Sequence, residues 1–301
     1  MKLGVSIKSI ALRSDSLKSD KKIHLAGFDH LSSYLQFLRE HGVSSIELRI
    51  YKRDDPFELF EESIGLILQQ GFDLTIHGDL AGSVKEEDNF LKIYPSLKNI
   101  LFHSNLKQQK VIMPIHAYQS KTTDSESLKI SSIDTFSKWT KLVEVDQLPI
   151  YFALENNREK EINDPCNNIQ GVMDIVEAVN SEHMRICWDM GHYISNITKR
   201  KQDSLYQARL LPYIKDVIHT HIHGLNDSGT THCPIINDKS LPVETYINLL
   251  KEAQYNGVYN VEFSFDRWEE NVREQLSKSL QRLYKAIYSE EPKVLMNETL
   301  N

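Results

Sequence analysis

Cysteine is scarce in this sequence, with three residues among 301. They lie far apart, they form no Cys-x-x-Cys pair, and their number is odd: Cys166, Cys187 and Cys233. A disulfide framework needs more cysteines at short spacings and is typical of secreted chains. The sequence therefore argues against a disulfide-rich fold and favours a reducing compartment.

Long apolar runs are also missing. The N-terminal segment Met-Lys-Leu-Gly-Val-Ser-Ile-Lys is short, and Lys8 interrupts it. A membrane-spanning helix needs about 20 apolar residues, and a signal peptide needs an uninterrupted apolar core. We therefore expect no membrane partner and a cytoplasmic, soluble protein.

Basic residues are not in excess, since 42 acidic residues stand against 35 basic ones and the formal net charge is −7. Proteins dedicated to nucleic acids depend on basic groups that meet phosphates. The balance therefore argues against nucleic acid as a partner, although an average over the chain does not describe local patches.

Short apolar or β-branched runs recur along the whole chain, and several are almost continuously hydrophobic. Such runs are typical of parallel strands that are buried on both faces. They predict strands at Leu3–Ile7, Ser45–Ile50, Asp73–His77, Lys110–Ile115, Pro149–Glu155, Met184–Trp188, Asp216–His221 and Val258–Phe263.

Apolar residues at helical spacing occur between these runs and predict a helix after each strand. One helix starts at Asp55 and is closed by Gly71, and we expect Pro95 to break another. The helix that contains Pro95 is predicted at Glu87–His103. The other predicted helices are His30–His41, Thr135–Val145, Asn168–Val179, Ser204–Leu211, Val243–Gln254 and Glu270–Tyr288.

A glycine-rich phosphate turn after the first strand is absent, because residues Ile7–Arg13 contain no glycine. The doubly wound α/β fold needs such a turn to bind a dinucleotide. No low-complexity linker divides the chain either. We therefore predict an α/β fold with a single (β/α)8 TIM barrel over residues 1–290, followed by a C-terminal tail over residues 291–301.

Metal-type side chains end or follow six of the eight predicted strands, and these ends form the functional face of a barrel. They are His77, His116, Glu155, Asp189, His221 and Glu262. Each has an ordinary alternative on its own, such as a satisfied hydrogen bond or a helix N-cap. Three carboxylates around one mouth, however, would repel one another without a cation or shared protons. The set as a whole therefore favours a metal site.

Three histidines alternate along the seventh predicted strand, so their side chains point the same way. His219 lies deeper and is expected outside the ligand set or in the core, and His223 could belong to the following loop. His221 is the ligand that we choose. Carboxylates mixed with imidazole suit Mn²⁺, Zn²⁺, Fe²⁺ or Co²⁺ better than Ca²⁺.

Four short motifs follow one another between residues 153 and 263: Ala-Leu-Glu155-Asn, Trp-Asp189-Met-Gly-His192, His221-Ile-His223-Gly and Val-Glu262-Phe. Their order and spacing resemble the xylose isomerase-like barrel superfamily. This superfamily includes sugar isomerases and epimerases, inosose dehydratases, and the apurinic endonucleases of the second family.

The resemblance to the ketose 3-epimerase branch implies one divalent metal ion (Mn, Zn, Co, Fe or Mg) held by Glu155, Asp189, His221 and Glu262. It also implies that the two glutamates exchange the proton beside a carbonyl while the metal stabilises an enediolate. His192 would contact a substrate oxygen or be a fifth ligand. The predicted function is a metal-dependent isomerase or epimerase of a sugar or a related small hydroxy-carbonyl compound.

The apurinic endonuclease branch uses more metal ligands, and His77, His116, His192 and His232 match the additional positions. The acid expected two residues before His232 is replaced by Thr230. A metal-dependent phosphodiester hydrolase is therefore one alternative, an inosose-type dehydratase is another, and a non-catalytic ligand-binding barrel is a third. Related barrels are often dimers or tetramers, so a homo-oligomer is left open.

Overall fold

The computed structural model describes residues 1–8, 25–49, 57–78, 89–103, 110–201, 212–268 and 271–289. Within these ranges, eight strands follow one another along the chain: β1 Lys2–Lys8, β2 Val43–Arg49, β3 Asp73–His77, β4 Val111–Ile115, β5 Ile150–Glu155, β6 Met184–Asp189, β7 Val217–Ile222 and β8 Val258–Val261. Neighbouring strands pair in parallel in the order β3-β2-β1-β8-β7-β6-β5-β4. A bridge between Gly78 and Ile115 joins the two ends of this order, and the predicted (β/α)8 barrel is thereby confirmed.

Helices alternate with these strands and pack around them. They are α1 Leu31–Glu40, α2 Phe57–Gln69, α3 Asn89–His103, α4 Ser125–Val145, α5 Ile169–Val179, α6 Met190–Lys199, α7 Val243–Glu252 and α8 Val272–Tyr288. Two short 3-10 helices lie at Pro212–Asp216 and Phe265–Arg267.

The strands agree closely with the apolar runs of the sequence, because burial on both faces leaves few polar positions in them. The run Asp73–His77 is reproduced without change, and the other strands differ by one or two residues at their ends. Residue 50, the last of the second predicted strand, lies outside the described residues, as do residues 290–301. The division into a barrel and a tail therefore stays a prediction.

The helix α6 was not expected from the sequence. It begins directly after β6, and Asp189 caps its N-terminus by accepting a hydrogen bond from the backbone N–H of His192 at 2.6 Å. The helix that the sequence predicts for this unit, Ser204–Leu211, lies outside the described residues. Asp189 is therefore both the last residue of β6 and the N-cap of α6.

The prediction for two other helices was wrong in detail. The helix α4 starts at Ser125, ten residues before the predicted start at Thr135, because Asp124 caps it through the backbone N–H of Ser127. Pro95 lies inside α3 and does not break it. Burial of Phe90 and other apolar residues of α3 offsets the hydrogen bond that proline cannot donate.

Inward-pointing side chains of neighbouring strands lie in rows, because the parallel register aligns them. One row runs through Asp189, His221 and Asn260 to Gly4. A Cβ atom on Gly4 would lie 2.6 Å from Val258 Cγ1 and 2.9 Å from Asn260 Oδ1. The bare backbone of this residue therefore leaves room for the Asn260 side chain inside the barrel.

No helix in the described ranges is both long and apolar enough to cross a membrane.

Substitution of Gly4 by alanine is expected to destabilise the barrel by about 1–3 kcal/mol, because the added methyl group overpacks the interior. The matched control is Gly65→Ala in α2, where an added Cβ has no neighbour within 4 Å. That substitution should be neutral or stabilising, since alanine favours a helix more than glycine does. Urea denaturation of both variants measures the difference, and equal midpoints would contradict the overpacking argument.

Candidate functional site

The four residues predicted as metal ligands come together at the C-terminal rim of the barrel. Glu155 ends β5, Asp189 ends β6, His221 lies one residue before the end of β7, and Glu262 follows β8. One oxygen or nitrogen atom from each of the four lies within 4.8 Å of the others. All four side chains are buried, with exposures of 0 to 2%.

Each of these four residues carries a buried polar atom that has no hydrogen-bond partner. The atoms are both Oε atoms of Glu155, Oδ2 of Asp189, Nδ1 of His221 and Oε2 of Glu262. His221 Nδ1 lies 3.0 Å from Glu155 Oε2 and 3.2 Å from Glu262 Oε2, without hydrogen-bond geometry. Buried polar atoms are normally paired, so a converging set of unpaired donor atoms fits a divalent cation with oxygen and nitrogen ligands.

The charges of these groups fit the same interpretation. Burial alone would raise the pKa of Glu155, but His116 and His221 hold it well below its ordinary value. Burial also acts to raise the pKa of Glu262, and Arg49 and His221 lower it. Burial would lower the pKa of His221, whereas Cys187 and the surrounding glutamates hold it well above its ordinary value. Glu155 and Glu262 are therefore held in their ionised forms, and the negative charge among these groups attracts a cation.

The side chain of Asn156 fixes the position of Asp189. Its Nδ2 donates to the carbonyl oxygen of Asp189 at 2.9 Å, and its Oδ1 accepts from the backbone N–H of the same residue at 2.8 Å. This pair of hydrogen bonds ties the end of β5 to the end of β6, so the asparagine that follows Glu155 aligns the two carboxylates.

The second strand contributes Glu47 and Arg49, which the sequence analysis missed. Glu47 is fully buried, and its Oε2 accepts from Nε2 of His219 at 2.8 Å and Nε2 of His221 at 3.0 Å. Arg49 forms an ion pair with Oε1 of Glu262. The signal was present in the run Ser-Ser-Ile-Glu-Leu-Arg, where a carboxylate and a guanidinium alternate with apolar residues.

His192 lies beside two of the predicted ligands. Its Nδ1 is 3.1 Å from Asp189 Oδ2 and 3.4 Å from Glu155 Oε1, and it also contacts the carbonyl oxygen of Asn156 at 3.2 Å. Burial lowers the pKa of His192, but Asp189 and Glu155 raise it above the ordinary value. A role as fifth ligand or as substrate contact stays a prediction.

His77 and His116 lie beside Oε2 of Glu155, whereas His192 lies beside Oε1. Their Nε2 atoms are 3.5 and 3.7 Å from Glu155 Oε2, and His77 stacks on His221 with 5.3 Å between ring centroids. Together with Glu155 they form a second group that could hold a metal ion.

His223 directly follows β7, which ends at Ile222, and its side chain is fully buried. Its Nε2 is 3.2 Å from Asp189 Oδ1, and its Nδ1 accepts from the backbone N–H of His232 at 2.9 Å. A Cβ on Gly191 would lie 2.0 Å from the His223 ring, so this glycine makes room for the imidazole.

His232 donates from Nδ1 to the carbonyl oxygen of Glu262 at 3.1 Å. It forms a third group with His192 and His223 whose nitrogen atoms could hold an ion. His223 therefore lies beside His232, for which the sequence offers no acid two residues earlier because Thr230 stands at that position.

Comparison with known proteins adds the family. The model of a family described as xylose isomerase-like TIM barrel matches residues 99–286. Comparison of the sequence with curated proteins gives no significant match.

Three solved structures illustrate the likeness in fold. A D-tagatose 3-epimerase-like protein is 16% identical, with 95% of this chain and 100% of that chain covered and a TM-score of 0.62. The 3-keto-D-glucoside 4-epimerase of E. coli is 13% identical, with 94% and 100% covered and a TM-score of 0.62. A zinc-bound IolI protein is 16% identical, with 96% and 100% covered and a TM-score of 0.59.

At these identities the solved structures establish the fold, and the family model carries the assignment because it spans more than half of the chain. The chain therefore belongs to the xylose isomerase-like TIM barrel family.

Proposed function

We propose that this chain is a divalent-metal-dependent isomerase or epimerase of a sugar or a related small hydroxy-carbonyl compound. The observation that carries the proposal is the set of unpaired buried atoms on Glu155, Asp189, His221 and Glu262. The sugar epimerases among the structural neighbours, and the neighbour that holds zinc, support the same class of chemistry.

The two glutamates are the proposed acid and base. Both are buried and ionised, since neighbouring cationic groups lower their pKa values. A carboxylate of this kind can accept a proton from carbon and return it when it is positioned beside the substrate. A bound divalent ion would polarise the substrate carbonyl and so make the neighbouring C–H more acidic.

Asp189 and His221 have a different proposed role. They would hold the ion together with the glutamates, and they would keep Glu155 and Glu262 on either side of the substrate. Arg49 keeps Oε1 of Glu262 occupied, which leaves Oε2 for the ion or the proton. Burial of all four side chains limits the access of water to the reacting carbon.

The first test is proton exchange. When the metal-loaded protein is incubated with a panel of ketoses in D₂O, deuterium should enter the carbon next to the carbonyl of at least one of them. Glu155→Gln and Glu262→Gln should each reduce the exchange rate by about 10²–10⁴-fold, because each removes a base. NMR or mass spectrometry of the recovered sugar measures the exchange.

The matched control is Glu126→Gln, which removes a carboxylate from the exposed surface of α4 and should leave exchange unchanged. Absence of exchange across the panel, with metal bound, would contradict the proposal. Exchange accompanied by loss of water from the product would replace the epimerase with a dehydratase.

A metal-dependent phosphodiester hydrolase is a second candidate function. Two of the additional groups favour it because each could hold a further ion beside the first: His77 and His116 with Glu155, and His192 with His223 and His232. Several metal ions at one centre are a common arrangement for phosphoester hydrolysis.

The number of bound ions separates the two functions. We expect one tightly bound ion per chain after extensive dialysis, because among the described residues the central group alone brings together four ligands that each carry an unpaired atom. Inductively coupled plasma mass spectrometry gives the count, and an abasic-DNA nicking assay gives the activity. Three ions per chain together with nicking would favour the hydrolase instead.

A further inference from the structure

The carboxylate of Glu47 lies between two imidazoles below the site. Its Oε2 is 2.8 Å from Nε2 of His219 and 3.0 Å from Nε2 of His221. All three side chains have an exposure of 0%. Both hydrogen bonds are therefore shielded from bulk solvent.

These two contacts determine which nitrogen of His221 carries a proton. Ser6 donates to the other oxygen of this carboxylate, Oε1, and a carboxylate that meets a hydroxyl donor and two imidazole nitrogens serves as the acceptor of these hydrogen bonds. Nε2 of His221 must then be the donor. Its other nitrogen, Nδ1, is left facing Glu155 Oε2 and Glu262 Oε2.

Glu47 is itself held on its other oxygen. Ser6 donates from Oγ to Glu47 Oε1 at 2.7 Å, and Asn260 donates from Nδ2 to Ser6 Oγ at 2.9 Å. With His219 and His221 on Oε2, the carboxylate is fixed from three neighbouring strands, β1, β7 and, through Asn260, β8. It has no freedom to turn away from His221.

We propose that Glu47 is a positioning residue, which sets the tautomer of His221 and thereby aims its Nδ1 at the metal ion. This inference rests on the proposed metal-dependent function. Carboxylates that accept from a metal-bound histidine orient the ring and make it a stronger ligand, and their loss typically weakens metal binding by 10–100-fold. His219, as the second donor to Oε2, holds Glu47 in place.

The experiment measures zinc affinity by competition with a chelator in full-length protein. Glu47→Leu removes the acceptor and should weaken zinc binding by about 10–100-fold. Glu47→Gln keeps the shape but loses the charge, and it should weaken binding by about 10-fold, since hydrogen bonds to ionised groups are the stronger ones. The matched control is Ser45→Ala, a buried position on the same strand whose hydroxyl donates to Asp73 at 3.4 Å. It should bind zinc like the wild type.

A second readout separates positioning from a purely structural role. In zinc-loaded wild-type protein with ¹⁵N-labelled histidine, the His221 signals should show a protonated Nε2 and a metal-bound Nδ1. Circular dichroism and denaturation midpoints show whether each variant folds, and if Glu47→Leu does not, Glu47→Gln decides the question.

The inference would be overturned if the folded Glu47 variants bound zinc as tightly as the wild type, or if zinc were bound through Nε2 of His221. Either result would leave the proposed function standing. A wild-type protein that binds no divalent metal at all would overturn the proposed function, and the inference with it.

Discussion

Repulsion among buried carboxylates at the mouth of the barrel governs how the neighbouring residues are arranged. Glu155, Asp189 and Glu262 converge on one small volume, and each ionised group there costs desolvation energy unless an opposite charge compensates it. Arg49 and His221 supply part of that compensation. A divalent ion would supply the rest, which is why the unpaired atoms and the charge balance lead to the same interpretation.

Precise placement of these groups depends on small features of the backbone scaffold. The parallel strands bring their C-terminal ends to one rim, and the asparagine after β5 ties two of these ends together. Gly191 and Gly4 provide space, one for an imidazole and the other for Asn260. The site is therefore built mainly from side chains at the strand ends, where the pairing of the barrel fixes the position of the backbone.

The fold and the four central residues could be read from the sequence because both follow from simple periodic patterns. Strands that are buried on both faces are visible as apolar runs, and a carboxylate or histidine at the end of such a run stands out. Helix α6 was missed because it follows β6 without a loop, so that no turn residues mark its start. Its cap, Asp189, is a residue that the sequence analysis considered as a ligand.

Glu47 and His223 could not be placed from the sequence for a different reason. Glu47 acts through contacts across the barrel to β7, 172 and 174 residues away along the chain, and no local pattern reports such a distance. The direction of His223 depends on Gly191, a glycine on another element. Long-range partners of this kind become visible only when the barrel is closed.

Asp189 has two duties that no other residue type can combine. Oδ1 caps helix α6 through the N–H of His192, while Oδ2 remains unpaired among the other acids. Asparagine is an equally good N-cap but has no charge, whereas glutamate has the charge but is a poorer cap. A substitution of Asp189 therefore disturbs the start of helix α6 and the charge of the site in the same step, so that the stability of this helix and the chemistry of the rim are linked through one side chain.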